Sequence, residues 1–428
     1  MAMHQAIIAK VDKVSPIPGA DRIHVATVLG ESVVVSKDVD VGYIGVLFPS
    51  DLQLSEQYCS ENNLHRDSEK NKDNTKAGFF ENTRRVRCQP FLKVRSEAYF
   101  ASLESLHYTG KTEFSLGEQF DEINGFKICQ KYISEKARKM MNASSGQKRV
   151  SKGVLYPSFE KHVSTEQFLH SLHKIEKGSL IYITAKAHGS SFRTSLKRES
   201  IQLPKWKELV NKIVPIFSSQ TDYKLVTGSR NVVITEDHEG FHGSDKWRID
   251  ISKEIEPYLE PGLTIFGEVV GNVNQKPLMP PHDVIAMKDK RYTDKYGNTV
   301  SFDYGCKEHE YKWFVYRITR EDVNGNNIDM TQSEMEKWCQ ARNIEHSFQV
   351  CEPFIYDGNE EAFKEKVVSL SERGDLLAEC YLNPKAYGEG VVIRVENGKI
   401  TPDFYKYKNY CFKVGEGLLD VDDVETLS

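Results

Sequence analysis

The sequence lacks paired cysteines, long apolar runs and a large excess of charge of either sign. Its eight cysteines are scattered along 428 residues without a C-x-x-C pair, which argues against a cysteine zinc site or a disulfide framework. No apolar run approaches the length of a membrane span, and the N-terminus lacks the hydrophobic centre of a signal peptide. The net charge of −5 argues against a protein coated in nucleic acid but is compatible with a local basic groove. We therefore expect an intracellular protein, cytoplasmic or nuclear, with no membrane partner.

The distribution of strand-like and helix-like segments predicts an α+β protein with two domains. Residues 1–125 contain short strand-like runs separated by turn residues, which is typical of a small barrel or sandwich. Residues 126–153 are basic and rich in small residues, so we expect a linker there. Residues 154–428 alternate irregularly between strands and helices, which predicts antiparallel sheets flanked by helices. We expect the chain to be a monomer.

The first predicted domain carries two features of nucleic-acid-binding barrels. The segment PIPGADRIHVATVLG resembles the opening of the OB domains of tRNA-binding accessory proteins. A later basic segment interleaves cations with aromatics: Arg84, Arg85, Arg87, Lys93 and Arg95 with Phe91, Tyr99 and Phe100. Such a strand suits phosphates and bases, although a solvated edge strand has the same composition. The polar stretch 55–78 between them predicts a loop.

The stretch LIYITAKAHGSSFR, residues 180–193, is the centre of the second predicted domain. Its alternating apolar residues predict a strand that runs to Gly189, preceded by a helix whose capping box is Ser164 and Gln167. Lys186 would then lie at the edge of a sheet beside a tight turn. A lysine is a nucleophile only when desolvation or neighbouring cations lower its pKa from about 10.4. The short K-x-H-G pattern alone is weak evidence for such a nucleophile, so we expect that lowering for Lys186 only with support from elsewhere in the chain.

Other polar residues lie in strand-like segments further along the chain. They are Arg230 in LVTGSRNVVI, Glu268 in TIFGEVVG, Glu389 in GEGVVIRV, and Lys406 and Lys408 in FYKYKNYCFK. Two lysines at a spacing of two point to one face of an extended strand. Each residue alone also has an ordinary explanation, as a turn residue, a surface cation or a wet sheet face.

Together and in this order, the motifs resemble the covalent nucleotidyltransferase superfamily of ATP-dependent polynucleotide ligases and mRNA capping enzymes. The matching segments are Lys186-Ala187-His188-Gly189, Arg230, Phe266-Gly267-Glu268, the aromatic strand 312–318, Glu389-Gly390-Val391-Val392 and Lys406-Tyr407-Lys408. The histidine at position 188 resembles the motif of RNA ligases. DNA ligases and capping enzymes usually have an aspartate at this position. An N-terminal OB-like domain, FDYGC at 302–306 and FKVGE at 412–416 are similar to nick-sealing RNA ligases. The implied fold is an OB-like β-barrel followed by a nucleotidyltransferase (ATP-grasp-like) ligase domain.

The resemblance implies a role for each matching residue. Lys186 would attack the α-phosphate of ATP, and Lys406 and Lys408 would contact that phosphate. Glu389, and with it Glu268, would hold Mg²⁺ or Mn²⁺, while Glu268 would also contact the ribose. The remaining nucleotide-binding residues would be His188, Gly189, Arg193 and Arg230, with Tyr316 or alternatively Phe314 stacked on adenine. Alternatively, His188 is a plain polar turn residue. Phe314 and Tyr316 each have an alternative as well, which is that of an aromatic residue buried in the core.

The implied function is an ATP-dependent RNA ligase that joins 3′-OH and 5′-phosphate ends, as in a nicked duplex, through lysyl-AMP and RNA-adenylate. Its partners would be ATP and RNA. Two alternatives remain open at this point. A capping-type guanylyltransferase would form a GMP adduct and would normally carry its OB domain after the catalytic domain. A catalytically inactive RNA-binding protein would form no adduct.

Overall fold

The computed structural model describes residues 5–50, 52–87, 89–91, 94–133, 156, 159–200, 221–236, 238–240, 243–375 and 377–416. Lys93, residues 134–153 of the predicted linker and residues 417–428 of the second predicted domain lie outside these ranges. The first part of the chain is almost entirely β-structure. Its elements are β1 (Ala6–Pro16), β2 (Ile23–Val28), β3 (Glu31–Ser36), β4 (Ile44–Pro49), β5 (Leu52–Leu54), α1 (Glu56–Glu61), β6 (Gln89–Phe91), β7 (Val94–Ser96), β8 (Ala98–Ser102), β9 (Gln119–Phe120), β10 (Glu122–Ile123), β11 (Phe126–Lys127) and β12 (Cys129–Lys131), with 3₁₀ helices Ser68–Lys70 and Leu103–Thr109.

Six of these strands form one nearly closed, barrel-like sheet. The strand order is β3-β2-β1-β4-β8, and β9 also pairs with β1. The long strand β1 pairs with β4 through its first half and with β2 through its second half, and the register shifts between Val11 and Lys13. Such a bulge lets one strand bend and serve both sides of a barrel. The small barrel predicted from the strand spacing is confirmed.

The basic segment of the barrel has internal contacts. The guanidinium of Arg85 lies 4.7 Å from the ring centroid of Tyr132, and Arg87 pairs with Glu81 at 3.5 Å. Of the aromatics, Phe100 is buried in the barrel, and Tyr99 packs against the core. These two rings therefore stabilise the barrel, so the prediction that they face bases is wrong.

The polar stretch 55–78 also differs from its prediction. It begins with α1, whose N-cap is the side chain of Ser55, and it continues through the 3₁₀ helix Ser68–Lys70. The side chain of Asn71 accepts a hydrogen bond from the backbone N–H of His65 at 2.9 Å and donates to the His65 carbonyl at 2.9 Å. Local side-chain-to-backbone hydrogen bonds thus organise a segment that has little apolar periodicity.

The second part of the chain builds two larger sheets and most of the helices. Its strands are β13 (Glu166–Gln167), β14 (Leu180–Ala185), β15 (Ser190–Ser200), β16 (Thr221–Gly228), β17 (Val233–Ile234), β18 (Glu239–Gly240), β19 (Gly243–Ser244), β20 (Leu263–Val273), β21 (Lys276–Pro277), β22 (His282–Asp283), β23 (Thr299–Val300), β24 (Tyr311–Glu321), β25 (Asn327–Asp329), β26 (Phe354–Ile355), β27 (Gly390–Glu396) and β28 (Asp403–Lys408). Its helices are α2 (Phe168–Ser171), α3 (Lys246–Ile255), α4 (Lys290–Tyr296), α5 (Gln332–Gln340), α6 (Glu360–Ser371) and α7 (Tyr410–Gly415), with 3₁₀ helices Leu172–Lys174, Glu256–Tyr258 and Ile285–Met287.

The two sheets are joined directly by the segment around Lys186. A five-stranded sheet has the order β13-β28-β27-β14-β26, and a seven-stranded sheet has the order β17-β16-β15-β20-β24-β25 with β21 on β20. The pairing is antiparallel except between β13 and β28. Residues 186–189 leave β14 of the first sheet and enter β15 of the second. The predicted α+β class with antiparallel sheets is confirmed.

Local boundaries around β14 depart from the sequence prediction. The strand ends at Ala185, four residues before the predicted end at Gly189, and the backbone N–H of Lys186 still donates to the carbonyl of Gly390 in β27. The predicted capping box is wrong, since α2 begins at Phe168 with Gln167 as an N-cap that makes no side-chain hydrogen bond. Residues 166 and 167 pair with β28 instead. A capping box does occur at Thr331 and Glu334, at the start of α5.

The barrel packs on the five-stranded sheet and its helices. Glu31 of the barrel pairs with His170 of α2 at 2.8 Å, and both side chains are largely buried. Gly30 has a positive φ of 78°, and an added Cβ would lie 3.0 Å from side-chain atoms of Leu169 and Lys364. The two parts therefore touch through a close turn of the barrel. Among the described residues, no helix is both long and apolar enough to cross a membrane.

Candidate active site

A cavity of about 360 Å³ is lined by residues of both large sheets. This volume is within the range of small-molecule sites. Eight of the sequence-predicted residues line it: Lys186, His188, Gly189, Arg230, Glu268, Phe314, Tyr316 and Glu389. Residues separated by up to 203 positions in the chain are thus brought to one place.

Lys186 is held at the cavity by its backbone and by its amine. Its backbone N–H donates to the carbonyl of Gly390 at 2.9 Å, and its Nζ donates to Glu389 Oε2 at 2.8 Å. The turn that follows needs glycine, because a Cβ on Gly189 would lie 2.1 Å from the carbonyl oxygen of Val269. The Lys186 side chain is 23% exposed, so the amine has access to the cavity.

Glu389 is the carboxylate at the centre of the site. It is 3% exposed, and its Oε1 lies 3.2 Å from Nζ of Lys408 while its Oε2 accepts from Lys186. Burial alone would raise its pKa, but the positive charges of Lys186, Lys408 and His188 hold the pKa well below the usual range. Glu389 is therefore ionised and bridges two lysines.

The pKa of Lys186 is shifted in the opposite direction from the sequence expectation. Burial favours the neutral amine, but the charges of Glu389 and Glu268 outweigh burial and raise the pKa. The expected lowering is therefore wrong for the protein without ligands, because the nearest group to the amine is a carboxylate and not another lysine. The ammonium form of Lys186 is therefore favoured while Glu389 is its partner.

The two lysines of β28 behave differently from each other. Lys408 pairs with Glu389, whereas burial and the charges of Lys408 and Lys186 lower the pKa of Lys406 to about 8. Both lysines line a second, smaller cavity of about 100 Å³ next to the barrel, together with Gln5 and Glu166. Neither lysine lines the larger cavity, although Lys406 is close enough to Lys186 for the charge of Lys186 to lower its pKa.

Glu268 and Arg230 come from the seven-stranded sheet. Ile265 and Val269 of β20 are fully buried in its hydrophobic core, so Glu268 points to the opposite face, as the sequence predicts. Burial raises the pKa of Glu268 to about 7, and the charge of Glu389 adds to that increase while Lys186 opposes it. Arg230 follows the end of β16 and lines the same cavity.

Two aromatics predicted as alternatives for base stacking both line the cavity. Phe314 and Tyr316 are two residues apart on β24 and are both partly buried. The hydroxyl of Tyr316 hydrogen-bonds Nδ1 of His162, whose ring lies 5.2 Å from that of Phe266. Burial raises the pKa of Tyr316, so its hydroxyl stays protonated. The two alternatives thus remain open, and His162 holds one of them.

His188 is fixed on several sides. Its backbone N–H donates to the hydroxyl of Tyr304 at 2.7 Å, its Nδ1 lies 3.6 Å from Glu389 Oε2, and its Nε2 lies 3.3 Å from Glu416 Oε1. Burial lowers its pKa, but the two carboxylates outweigh burial and raise it. These contacts place His188 beside the charged groups of the site. A plain polar turn residue would not need contacts with two carboxylates.

Arg193 is the sequence-predicted nucleotide-binding residue that lies outside both cavities. The residue is 2% exposed, and its guanidinium donates to the backbone carbonyl of Glu160 at 2.7 Å and lies 4.4 Å from the ring centroid of Phe159. Sequence reasoning missed several cavity residues, among them His162, Arg317 and Arg394. No local pattern marks these residues, because their position depends on strand pairing far along the chain.

The donor set of the site fits a hard divalent cation. Glu268 and Glu389 line the same cavity, and the charge of one raises the pKa of the other. Carboxylate oxygens are the ligands that Mg²⁺ and Mn²⁺ prefer. A cation held between these carboxylates would relieve their repulsion.

Comparisons with known proteins identify relatives of the fold and of the sequence. Solved structures of a Naegleria gruberi RNA ligase share the fold. The form with pyrophosphate has a TM-score of 0.58 at 16% identity, covering 95% of this chain and 97% of that chain. A mutant form with ATP and manganese has a TM-score of 0.57 at 15% identity, covering 96% and 98%. No curated protein sequence gives a significant match.

The family assignment rests on the sequence match. The model of the RNA ligase family matches residues 179–414, which is more than half of the chain. The match begins just before β14 and ends within α7, and it includes Lys186, Arg230, Glu268, Glu389 and Lys408. The chain therefore belongs to the RNA ligase family.

Proposed function

We propose that the protein is an ATP-dependent RNA ligase that joins 3′-OH and 5′-phosphate ends, with nicked duplexes as its substrate, through lysyl-AMP and RNA-adenylate intermediates. The observation that supports this most directly is the 2.8 Å contact between Lys186 Nζ and Glu389 at the larger cavity. The family match supports RNA as the substrate. The structures of the Naegleria ligase with ATP and manganese support ATP and a divalent cation, Mg²⁺ or Mn²⁺, as its cofactors.

In the proposed first step, the neutral amine of Lys186 attacks the α-phosphorus of ATP. A nitrogen–phosphorus bond forms, the bond to the bridging oxygen breaks, and pyrophosphate leaves with that electron pair. The nitrogen carries a positive charge once this bond has formed, and it then releases one proton to water to give the phosphoramidate. Lys406 and Lys408 are the cations that would contact the α-phosphate, so they would offset the charge that develops there.

The pKa values suggest how Lys186 becomes neutral. Glu389 raises the pKa of Lys186 in the protein without ligands. A divalent cation held by Glu389 and Glu268 would supply positive charge beside the phosphate. Glu389 would then no longer stabilise the ammonium form of Lys186, and burial, which lowers the pKa, would dominate.

The other cavity residues would hold the nucleotide. Glu268 would contact the ribose, and Arg230 would contact the sugar or the 5′-phosphate of RNA. Phe314 and Tyr316 are the alternatives for stacking on adenine. Arg193 has no access to the cavity, so we assign it to positioning Glu160 and Phe159 behind the site.

The second and third steps transfer the nucleotide and seal the RNA. A 5′-phosphate oxygen of RNA attacks the phosphorus of lysyl-AMP, which releases the Lys186 amine and forms RNA-adenylate. A 3′-hydroxyl then attacks the 5′-phosphate, and AMP leaves as the phosphodiester bond forms. Because the substrate is a polyanion, affinity is expected to fall steeply with salt.

Incubation with α-labelled ATP and Mg²⁺ or Mn²⁺ tests the proposal. We expect a covalent AMP adduct on the wild-type protein and none on Lys186→Ala. Lys253→Ala is the matched control, because Lys253 is an exposed residue of α3 and lines neither cavity. The control is expected to keep the adduct.

The same assay separates the alternatives. An adduct with GTP but not with ATP would overturn ligation in favour of a capping-type guanylyltransferase. No adduct with either nucleotide would leave an RNA-binding protein. A series of nicks with ribose or deoxyribose at the 3′-OH end then tests the preference for RNA.

We also propose that residues 1–125 form an OB-like domain that holds the RNA, that the predicted linker 126–153 leads from it, and that residues 154–428 carry the chemistry. The first residues of that linker belong to the barrel part and not to a connection, because β12 (Cys129–Lys131) pairs with β5 and Cys129 is buried in the barrel core. The barrel-like sheet and the exposed basic Arg87 support this division. The variant Arg87→Glu is expected to weaken nick sealing, to leave the AMP adduct unchanged and to lower the salt slope of RNA binding by about one. An unchanged salt slope would contradict the role of this surface.

A further inference from the structure

A second group of ligand-type side chains adjoins the candidate active site. It consists of His188, His282 and Glu416, one ligand atom from each lying within 4.8 Å of the others. Glu416 Oε1 lies 3.3 Å from Nε2 of His188 and 3.1 Å from Nε2 of His282. Among the described residues, one group of three or more histidines, cysteines and carboxylates has its ligand atoms this close together, and it is this group. We call it the His–His–Glu cluster.

The spacing of the His–His–Glu cluster matches the first coordination shell of a small metal ion. Zinc binds imidazole nitrogen and carboxylate oxygen at about 2.0–2.2 Å in tetrahedral geometry. With such bonds, ligand atoms 3.1–3.3 Å apart subtend an angle of roughly 95–105° at the metal, close to tetrahedral. Two of the three pairs of ligand atoms therefore already have the spacing of a shared ion, and the two imidazole nitrogens lie within 4.8 Å of each other.

Hydrogen bonding alone does not satisfy the cluster. The Nε2 atom of His188 is buried and makes no hydrogen bond of acceptable geometry among the described residues, although Glu416 Oε1 is only 3.3 Å away. A buried polar atom without a partner is costly. A metal ion placed between the two atoms would give each of them a bond.

The surroundings of the cluster are those of metal-binding histidines. A metal-binding imidazole usually engages a second group through its other nitrogen, which fixes the tautomer and the ring. Nδ1 of His282 lies 2.8 Å from the hydroxyl of Tyr387, and Nδ1 of His188 faces Glu389 at 3.6 Å. The rings of Phe302 and Phe412 both lie 4.8 Å from the His188 ring and form an apolar wall.

We propose that His188, His282 and Glu416 bind a transition-metal ion, with zinc as the best match to two imidazoles and one carboxylate, and that water fills the fourth position. This site is separate from the carboxylate pair Glu268 and Glu389, which suits a hard cation. The bound ion fixes the His188 ring against Glu389. It also ties the end of α7 to β22, because Glu416 follows the helix and His282 begins the strand.

Metal titration of the full-length protein tests this site without ATP or RNA. The protein is stripped with a chelator, and Zn²⁺ is titrated against a colorimetric zinc chelator in excess Mg²⁺, which occupies the hard-cation site. We expect about one equivalent of zinc per chain. We also expect Co²⁺ in place of Zn²⁺ to give the visible absorption bands of a four-coordinate ion.

Two variants identify the ligands. Glu416→Gln preserves the shape of a side chain that is 32% exposed, and His282→Asn removes the buried imidazole. Each is expected to weaken zinc binding by more than about 100-fold and to abolish the cobalt bands. His238→Asn is the matched control, because His238 pairs with Asp245 at 2.7 Å but belongs to no three-ligand group within the part of the chain that the structure describes. Zinc binding is expected to be unchanged in this control.

The opposite results would overturn the proposal. Absence of stoichiometric zinc binding would show that Glu416 forms only ion pairs with the two histidines. Binding that survives in both variants would assign the zinc to other groups, such as cysteine thiols. If His282→Asn does not fold, the circular dichroism and zinc affinity of Glu416→Gln decide. Because the readout is metal binding, its failure would leave the AMP adduct and the proposed ligase function unaffected.

Discussion

The molecule contains two groups of buried charges that are built in different ways. In one, which we call the arginine network, Arg317 binds Asp329 through two bonds of 2.6 and 2.7 Å and also pairs with Glu160 at 2.7 Å. Its neighbour Arg394 pairs with Glu396 at 2.9 Å. The other, the lysine–carboxylate cluster, contains Lys186, Lys406, Lys408, Glu268 and Glu389. Here one carboxylate serves two lysines, and no ion pair holds Lys406 among the described residues.

The difference shows what burial of charge is used for in each place. Asp329 is 1% exposed and matched by a planar guanidinium, so its charge is satisfied by the fold itself. In the lysine–carboxylate cluster, Lys186 and Lys408 are 23% and 20% exposed and share the charge of Glu389. A group that shares its partner can exchange it for a ligand. The first arrangement therefore favours stability, and the second favours chemistry.

The variant Glu389→Gln is expected to have the largest effect on chemistry. Loss of this carboxylate is expected to slow formation of the AMP adduct by on the order of 10²-fold or more, as for other preorganised electrostatic groups. Lys186 and Lys408 are both partly exposed, so the free energy of unfolding is expected to change less than in the arginine network. Single-turnover adduct formation and urea unfolding check the two expectations. A variant that forms the adduct at the wild-type rate would remove Glu389 from the mechanism.

The variant Arg317→Met is expected to have the largest effect on stability. It leaves Asp329 buried without its cation, which is expected to lower the free energy of unfolding by about 3–5 kcal/mol. The double variant Arg317→Met/Asp329→Leu removes both charges and is expected to recover much of that loss. Urea unfolding of the two variants checks the comparison. Equal losses in both would show that packing and not charge pairing is responsible.

The variant Lys406→Met tests the lysine–carboxylate cluster through the dependence of stability on pH. The pKa of Lys406, about 8, is lowered mainly by burial, so the charged form destabilises the folded protein. The unfolded chain binds this proton up to a pKa of about 10.4, so the stability of the wild type rises with pH between about 8 and 10.4. We expect Lys406→Met to be at least as stable as the wild type at pH 7. Its advantage is expected to shrink over that pH range, while adduct formation is slow throughout.

Urea unfolding as a function of pH and adduct assays at neutral pH check this prediction. Lys174→Met is a suitable control, because Lys174 pairs with Glu166 at 2.6 Å and is 36% exposed. If the difference in the free energy of unfolding between Lys406→Met and the wild type stayed constant from pH 7 to pH 11, the lowered pKa of Lys406 would be contradicted.

The pair of Lys174 and Glu166 itself provides the smallest expected effect. Burial raises the pKa of Glu166, but hydrogen bonds from Lys174 and Ser171 outweigh burial and lower it. A lowered pKa stabilises the folded state above the unfolded value of about 4.3, and this contribution is lost as the pH falls through the folded pKa. Solvent screens the pair, so Glu166→Gln is expected to cost about 0–1 kcal/mol at pH 7 and nothing in acid. Urea unfolding at pH 7 and pH 3 measures the difference.

The fold and the candidate site were predictable where a local pattern carries the information. The alternation of Ile181 and Ile183 with polar residues predicts β14, and the spacing of Lys406 and Lys408 places both lysines on one face of β28. The pattern at Ser164 and Gln167 failed, because pairing of β13 with β28 overrides a local helix signal there. The prediction for the aromatics of the basic segment was wrong for a similar reason, since Tyr99 and Phe100 pack in the barrel core.

The sequence by itself determined the order and the chemical types of the site residues, because strands and glycine turns are encoded over a few neighbouring positions. Only the tertiary structure decided which charges share a partner. Lys186 has a raised pKa because a glutamate 203 positions away approaches it, and His188 meets Glu416 across a still longer separation. Protonation and metal binding depend on distances of a few ångströms and on exclusion of water. Those quantities exist only after the two sheets have come together.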